Sequence, residues 1–137
     1  MEPTAYVSVI AHEDGRVAQI VLDRPEALNA VSTDMARAIA SVAGAVAADP
    51  LVRCVLLTSS HPKAFCVGAD LKERNSFTDA DLMAQRPIAR AAYQSILDLP
   101  MPAIAVVDGF ALGGGYELAL SCDLIVVGPG AQVGLPE

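Results

Sequence analysis

The stretch ALGGGYELALSCD, residues 111–123, places three consecutive glycines between an apolar run and a helix-like run. Glycine adopts backbone angles that other residues resist, and it lets a ligand approach the main chain closely. The free N–H groups at a helix N-terminus favour an anion. Glu117 lies one turn after Gly114, so a single helical turn predicts a backbone donor and a carboxylate on one face. Taken alone, the segment fits equally well a tight turn packed on a sheet, with Glu117 exposed.

These glycines do not form a nucleotide-binding motif. The pattern GxGxxG fails because Leu118 stands where the third glycine is needed. No GK[ST] sequence follows the glycines, which excludes a P-loop.

The composition indicates one folded domain over residues 1–137. Hydrophobic residues make up 53% of the chain and charged residues 18%, which excludes a disordered protein. The net charge of −7 argues against a nucleic-acid partner. A negatively charged ligand would have to be held locally, by backbone N–H groups and a few basic side chains.

The hydropathy pattern argues against a membrane span and a secretion signal. No run of 18 apolar residues occurs, and Asp108, Glu117 and Asp123 interrupt the most hydrophobic stretch. Residues 1–4 carry neither a basic nor an apolar signal segment. Cys54, Cys66 and Cys122 lack CxxC spacing and lie in apolar runs, so each is predicted to be a buried, reduced thiol. Together these features predict a cytoplasmic protein.

The order of apolar runs and helix signals predicts an α/β fold. Strands are predicted at residues 6–11, 16–22, 52–57, 103–107 and 124–127, and helices at 33–48, about 78–97 and 113–121. A polar turn joins the first two strands as a hairpin, and residues 58–69 are predicted to form a loop. Buried strands that alternate with helices indicate parallel pairing. In the first helix the apolar spacing predicts one buried face, formed by Met35, Ile39, Val42 and Val46, after an N-cap at Ser32 or Thr33.

A second segment, AFCVGADLKER at residues 64–74, turns at Gly68 after a buried strand. The backbone N–H of Ala69 could converge with that of Gly114 from a separate loop. Two such donors form an oxyanion hole, which stabilises charge developing on a carbonyl oxygen and requires the two nitrogens to lie within roughly 6 Å of each other. By itself the segment reads as a strand, a turn and the start of a charged helix.

A third segment, AQVGLPE at residues 131–137, ends on a second carboxylate, Glu137. Two carboxylates that hold one water can divide the roles of acid and base. Outside this context, a C-terminal glutamate is a solvated end group.

Taken in order, five stretches resemble the enoyl-CoA hydratase/isomerase (crotonase) superfamily. They are LDRPEALNAVS, AFCVGADLKER, LPMPAIAVVDG, ALGGGYELALSCD and VGLPE. The resemblance implies an α/β fold built as a spiral of ββα units. It also implies that the chain is an N-terminal catalytic core that lacks the C-terminal helices, and that the full-length protein is a homo-oligomer, a trimer or a dimer of trimers.

The resemblance also implies roles for individual residues. Ala69 and Gly114 look like the donors to a thioester oxygen, and Glu117 and Glu137 like the catalytic carboxylates. The matching positions on the two sides of the coenzyme A groove are Ala27, Leu28, Ala30, Gly68, Asp70, Leu71 and Lys72. Lys72 reads equally well as part of a solvated helix start.

The implied reaction is the reversible addition of water to a trans-2-enoyl-CoA. Its substrate is an acyl-CoA thioester, so coenzyme A arrives with the substrate and no separate cofactor or metal is expected. An enoyl-CoA isomerase or another acyl-CoA reaction of the family is the nearest alternative, since isomerisation can run with one carboxylate. A non-enzymatic fragment that keeps the coenzyme A-binding elements is the alternative from another class.

Overall fold

The computed structural model describes residues 5–136. Within that range the strands are β1 (Val7–His12), β2 (Val17–Leu22), β3 (Cys54–Ser59), β4 (Ala64–Cys66), β5 (Ala103–Val107), β6 (Phe110–Leu112), β7 (Leu124–Val127) and β8 (Gln132–Gly134). The helices are α1 (Thr33–Ala47), α2 (Leu71–Asn75), α3 (Asp79–Leu97) and α4 (Gly114–Leu120).

The strands form two sheets between which the chain alternates. The larger sheet has the order β1-β2-β3-β5-β7, with β1 antiparallel to β2 and all other pairs parallel. The smaller sheet has the order β4-β6-β8 and is parallel throughout. Each of β3, β5 and β7 is followed directly by a short strand of the smaller sheet. This succession of strand, short strand and helix is the spiral of ββα units that the resemblance implied.

The sequence predicted the long elements correctly and missed the short ones. The hairpin, the long strands and helices α1, α3 and α4 are confirmed, with ends shifted by up to two residues. The predicted loop at residues 58–69 was wrong, because it contains the end of β3 and all of β4. Strands β6 and β8 were also missed. A strand of three residues is too short for an alternating pattern, and its pairing partners are distant in sequence.

Helix α1 supplies the apolar face against which the larger sheet packs. Met35, Ile39, Val42 and Val46 are all buried, as their spacing predicted. The helix begins where the Ser32 hydroxyl accepts a hydrogen bond from the Met35 N–H at 3.2 Å. Each fully buried aliphatic side chain of this face contributes about 1.5–3 kcal/mol to folding.

The three cysteines are free thiols, but they differ in burial. Cys66 is buried, whereas Cys54 and Cys122 are partly exposed, so the expectation of three buried thiols was wrong for two of them. Burial raises the pKa of Cys66 to about 11, against a smaller lowering by a backbone hydrogen bond from Gly68. Burial, assisted by the negative charge of Asp123, raises the pKa of Cys122 to about 12. Both groups are therefore neutral thiols near pH 7.

Two further properties of residues 5–136 bear on function. No helix in this range combines the length and the apolar composition that crossing a membrane requires. In the same range, no three His, Cys, Asp or Glu side chains lie close enough together to hold a metal ion.

Asn29 anchors the loop between β2 and α1. Its side chain is fully buried, and its amide donates to the Ser59 hydroxyl at 2.7 Å and to the Phe65 carbonyl at 2.9 Å. Its carbonyl oxygen accepts the Arg24 N–H at 2.7 Å. Asn29 also has a left-handed backbone, with φ of 58°, which asparagine tolerates better than most residues. One amide thus joins the loop to the junction of β3 and β4.

Replacing Asn29 with glycine should lower the free energy of unfolding by about 2–4 kcal/mol, because buried donors and acceptors lose their partners. Glycine accepts a left-handed backbone, so the loss reports the hydrogen bonds rather than strain. Urea unfolding measures it. The control is Asn75→Gly at the exposed end of α2, and an Asn29→Gly variant no less stable than this control would contradict the anchoring role.

Apolar side chains are exposed on and around β7 and β8. The exposed large residues of this region are Leu120, Leu124, Val126, Val127, Val133 and Leu135. Large apolar side chains exposed in one part of the chain promote association. We expect the chain of residues 1–137 to bind an apolar fluorescent dye and to self-associate as its concentration rises, as followed by sedimentation velocity.

Leu124→Lys should weaken this association. The matched control is Leu51→Lys, because Leu51 is 61% exposed and Leu124 60%, but Leu51 lies outside the apolar region. Equal effects of the two substitutions, or a monomer that binds no dye, would show that the β7–β8 surface does not drive association.

Candidate active site

Two loops from different parts of the chain contact each other through their backbone atoms. Gly68, after β4, has φ of +94°, a conformation that side chains resist. A Cβ built on Gly68 would lie 2.9 Å from the Leu112 carbonyl oxygen and 3.2 Å from the Gly114 nitrogen. A Cβ on Gly115 would collide with the carbonyl oxygen of Cys66. The glycines at these positions therefore permit the N-terminus of α4 to touch the end of β4.

The Ala69 N–H faces away from the strand-like segment at Val31. Val31 donates to the Gly68 carbonyl at 2.7 Å and accepts from the Asp70 N–H at 3.2 Å, which makes a parallel bridge between Val31 and Ala69. Successive peptide groups of an extended chain point to opposite sides, so the N–H of Ala69 itself points away from Val31. Among residues 5–136, no backbone carbonyl accepts this N–H.

Gly114 presents a second N–H group that has no backbone acceptor within residues 5–136. It is the first residue of α4, where the N–H groups have no intrahelical partner. Covalent geometry limits the distance between the Ala69 and Gly114 nitrogens. A Cβ built on Gly68 would lie 3.2 Å from the Gly114 nitrogen. Because the Ala69 nitrogen is three bonds from that Cβ, the two nitrogens are at most about 7 Å apart. That limit is compatible with two donors to a single oxygen.

Both donors and Glu117 line one cavity of about 420 Å³. Its lining comprises Val31, Val67, Gly68, Ala69, Leu71, Arg74, Gln85, Ala89, Tyr93, Gly113, Gly114, Glu117 and Pro136. Glu117 is an exposed residue in the first turn of α4, and its N–H donates to the Gly113 carbonyl at 3.0 Å. Glu137, the other predicted carboxylate, lies outside the described residues.

A second cavity of about 560 Å³ holds most of the predicted coenzyme A contacts. Of the predicted set, the residues that line it are Ala27, Leu28, Ala30, Asp70, Leu71 and Lys72. Gly68 instead lines the cavity that contains Glu117. Ala69 and Leu71 line both cavities, so the two spaces meet at the predicted donor.

Three polar residues of the first cavity were not predicted from the sequence: Arg74, Gln85 and Tyr93. Gln85 is buried on α3, where its amide donates to the Thr33 hydroxyl at 3.2 Å and to the Glu73 carboxylate at 3.0 Å. The Tyr93 hydroxyl lies where a Cβ on Gly114 would be. In the sequence Arg74 belongs to the charged helix start that follows Ala69, and Gln85 and Tyr93 belong to the predicted helix at 78–97. No sequence pattern indicated that these three residues line one cavity.

A partly buried ion pair borders the second cavity. Arg24 Nη1 lies 2.8 Å from Asp70 Oδ2, and the two side chains are 19% and 11% exposed. Burial raises the pKa of the Asp70 carboxyl, but hydrogen bonds from Arg24 and from the Glu73 and Lys72 backbone, together with the charge of Arg24, outweigh it. The pKa therefore lies below its ordinary value, and the carboxylate stays ionised at neutral pH.

The fold and the site define a protein class: an α/β spiral in which Ala69, Gly114 and Glu117 line one cavity. The profile of the family described as enoyl-CoA hydratase/isomerase matches residues 12–137. The chain belongs to the enoyl-CoA hydratase/isomerase family.

Individual relatives agree with this assignment. The chain is 35% identical over 130 residues to the short-chain-enoyl-CoA hydratase of Clostridium acetobutylicum, covering 95% of this chain and 50% of that protein. It is 35% identical over 128 residues to the human mitochondrial methylglutaconyl-CoA hydratase, covering 93% and 38%. The crystal structure of an enoyl-CoA hydratase from Bacillus anthracis superposes with a TM-score of 0.89 at 33% identity, covering 94% and 50%. The chain thus spans about half the length of such relatives.

Alanine substitutions should have different effects on stability at the two glycines of α4. Gly115→Ala should cost about 1–3 kcal/mol of unfolding free energy or prevent folding, because the new Cβ meets the main chain at Cys66. Gly114→Ala should cost less, because its Cβ meets only the end of a side chain, the Tyr93 hydroxyl.

A Tyr93→Phe background tests this assignment. Without the hydroxyl, the next Tyr93 atom lies 3.5 Å from the Cβ of residue 114, an ordinary contact, so the cost of Gly114→Ala should largely vanish. Urea unfolding of both single variants and the double variant measures the difference. The same background should not rescue Gly115→Ala, and a rescue there would contradict the geometry.

Proposed function

We propose that this chain carries the active site of an enoyl-CoA hydratase, which reversibly adds water across the 2,3-double bond of a trans-2-enoyl-CoA. One observation carries the proposal. Ala69 and Gly114, whose N–H groups have no backbone acceptor among residues 5–136, line the same cavity as the carboxylate-bearing Glu117. That combination suits a reaction in which negative charge develops on a thioester oxygen while a nearby group moves a proton.

The two donors would act on the thioester carbonyl. When its oxygen accepts from Ala69 and Gly114, electrons are drawn from the conjugated double bond, and C3 becomes electrophilic. The same bonds strengthen as the oxygen gains the charge of the enolate. Losing one such donor typically costs about 3–4 kcal/mol of transition-state stabilisation.

The carboxylates would bind and activate the attacking water. Glu117 and Glu137 together would hold one water molecule, and one of them would take its proton as the oxygen bonds to C3. The enolate then collapses as a proton is delivered to C2, so that the elements of water are added and no cofactor is consumed. Either glutamate can serve as the base, with the other as the acid.

The second cavity would hold coenzyme A. Apolar residues such as Leu28 and Leu71 can contact the pantetheine chain, and Lys72 is a cation beside them. With a net charge of −7 on the chain, local cations and backbone N–H groups are needed to hold the phosphates. A trimeric full-length protein and a cytoplasmic location remain predictions of the same proposal.

An enoyl-CoA isomerase is the second candidate. Among residues 5–136, Glu117 is the one carboxylate-bearing residue that lines the cavity. Isomerisation of a trans-3-enoyl-CoA needs a single carboxylate, which removes a proton from C2 and delivers it to C4. Activity assays with trans-2-enoyl-CoA and with trans-3-enoyl-CoA distinguish the two functions. Formation of 3-hydroxyacyl-CoA from the trans-2 ester supports hydration, and double-bond migration alone supports the isomerase.

In a full-length version of the enzyme, Glu117→Gln should lower the kcat for hydration of crotonyl-CoA by about 100- to 10,000-fold, because an amide acts neither as a general base nor as a general acid at neutral pH. Affinity for the CoA ester, measured by calorimetry, should stay within a few-fold of the unsubstituted chain. Glu13→Gln, in the exposed turn between β1 and β2, is the matched control. A Glu117→Gln variant with near-normal turnover would disprove the role of Glu117. Failure of the unsubstituted chain to bind the ester would disprove the coenzyme A site.

A further inference from the structure

Arg24 holds two separate segments with one guanidinium group. Its Nη1 donates to the Ala30 carbonyl at 2.8 Å and to the Asp70 carboxylate at 2.8 Å. Ala30 comes directly before Val31, and Asp70 comes directly after Ala69. The two acceptors therefore flank the bridge that Val31 makes with Ala69.

That bridge is short and isolated. It consists of the two hydrogen bonds from Val31 to Gly68 and from Asp70 to Val31, and it lies outside both sheets. A bridge of a single residue pair does not fix the orientation of the peptide groups on either side of it. Other contacts are needed to hold those groups. The guanidinium supplies such contacts, because it links the two chains beside the bridge.

Both partners of the ion pair are themselves fixed. Asp70 caps α2, since its other carboxylate oxygen accepts the Glu73 N–H at 3.1 Å. Arg24 is tied through its own N–H to Asn29, and its guanidinium lies 5.8 Å from the centre of the Tyr6 ring. Because the pair is mostly shielded from solvent, breaking it costs more than breaking a surface ion pair.

We propose that Arg24, through Asp70, is a positioning residue that orients the Ala69 N–H toward the thioester oxygen. The proposal rests on the proposed function, in which that N–H is an oxyanion donor. Such donors work because they are already aimed when charge develops. Loss of the pair should therefore impair the chemical step more than the binding of substrate.

Arg24 also lines the coenzyme A cavity, so a direct contact with the ligand is the competing explanation. The two explanations differ in what Asp70→Asn does. If Arg24 bound a phosphate of coenzyme A, removing the negative charge of Asp70 would leave kcat unchanged and would lower KM. If Arg24 acts by holding Asp70, then Asp70→Asn and Arg24→Gln must produce the same defect in kcat.

The experiment compares Arg24→Gln, Asp70→Asn and the double variant in crotonyl-CoA hydration. A misplaced donor should lower kcat on the order of 10- to 100-fold in each single variant, and the double variant should be no worse. KM should change little. Arg24→Lys should rescue only in part, because an ammonium cannot reproduce the planar fork of the guanidinium. Lys72→Gln supplies the opposite pattern, a raised KM with little change in kcat.

A spectroscopic probe reports polarisation without turnover. 4-Dimethylaminocinnamoyl-CoA absorbs at longer wavelength when its thioester carbonyl is polarised, so the unsubstituted chain should shift its band to the red. Arg24→Gln and Asp70→Asn should bind the probe with a smaller shift. Full shifts with kcat unchanged, or a defect confined to KM, would overturn the positioning role.

Amide NMR of the ligand-free chain separates this proposal from the proposed function. If the unsubstituted chain neither turns over crotonyl-CoA nor shifts the probe, the hydratase proposal fails. The positioning of Ala69 is then judged by its own amide resonance and hydrogen exchange, which Arg24→Gln should alter while leaving Gly44 on α1 unchanged. An unaltered Ala69 amide in both Arg24→Gln and Asp70→Asn would overturn the inference, and Asp70→Asn serves alone if Arg24→Gln does not fold.

Discussion

The close approach of two main chains, at Gly68 on one side and Gly114 and Gly115 on the other, is the constraint on which the site depends. Any side chain at Gly115 would meet the Cys66 carbonyl, and any at Gly68 would meet that of Leu112. Because the loops touch through backbone atoms, the separation of the two donors does not depend on side-chain rotamers. Glu117 is then placed by one helical turn of α4.

Arg24 and Asn29 extend this constraint to the other wall of the site. Asn29 links the loop after β2 to the β3–β4 junction by a hydrogen bond, and Arg24 links the same loop to Asp70. This side of the site is therefore held by hydrogen bonds between polar groups that are shielded from water. Breaking one of these bonds would leave a buried polar group without a partner, which costs free energy of folding. Side chains on α3, among them Gln85 and Tyr93, also line the cavity.

How far the sequence predicted this structure follows from the range of each interaction. The buried face of α1 and the hairpin could be predicted because their residues lie within a few positions of one another. Strand β4 could not, because three residues carry no period and their partners in β6 lie more than 40 positions away. The meeting of the Gly68 and Gly114 loops was anticipated as a convergence of the Ala69 and Gly114 N–H groups, an expectation that the family resemblance supported. The pairing of Arg24 with Asp70 left no local pattern at all.

The alternation of the chain between two sheets has a consequence for the order in which the protein assembles. Strand β2 pairs with β3 only after the whole of α1 has been made, and β4 gains its partner only when β6 exists. Parallel pairings of this kind close long loops, so folding is slow and late relative to synthesis. A nascent chain would expose apolar strand edges until β7 and β8, the last partners in the two sheets, have been made. The architecture that brings Ala69 and Gly114 together thus also delays the burial of these strands during synthesis.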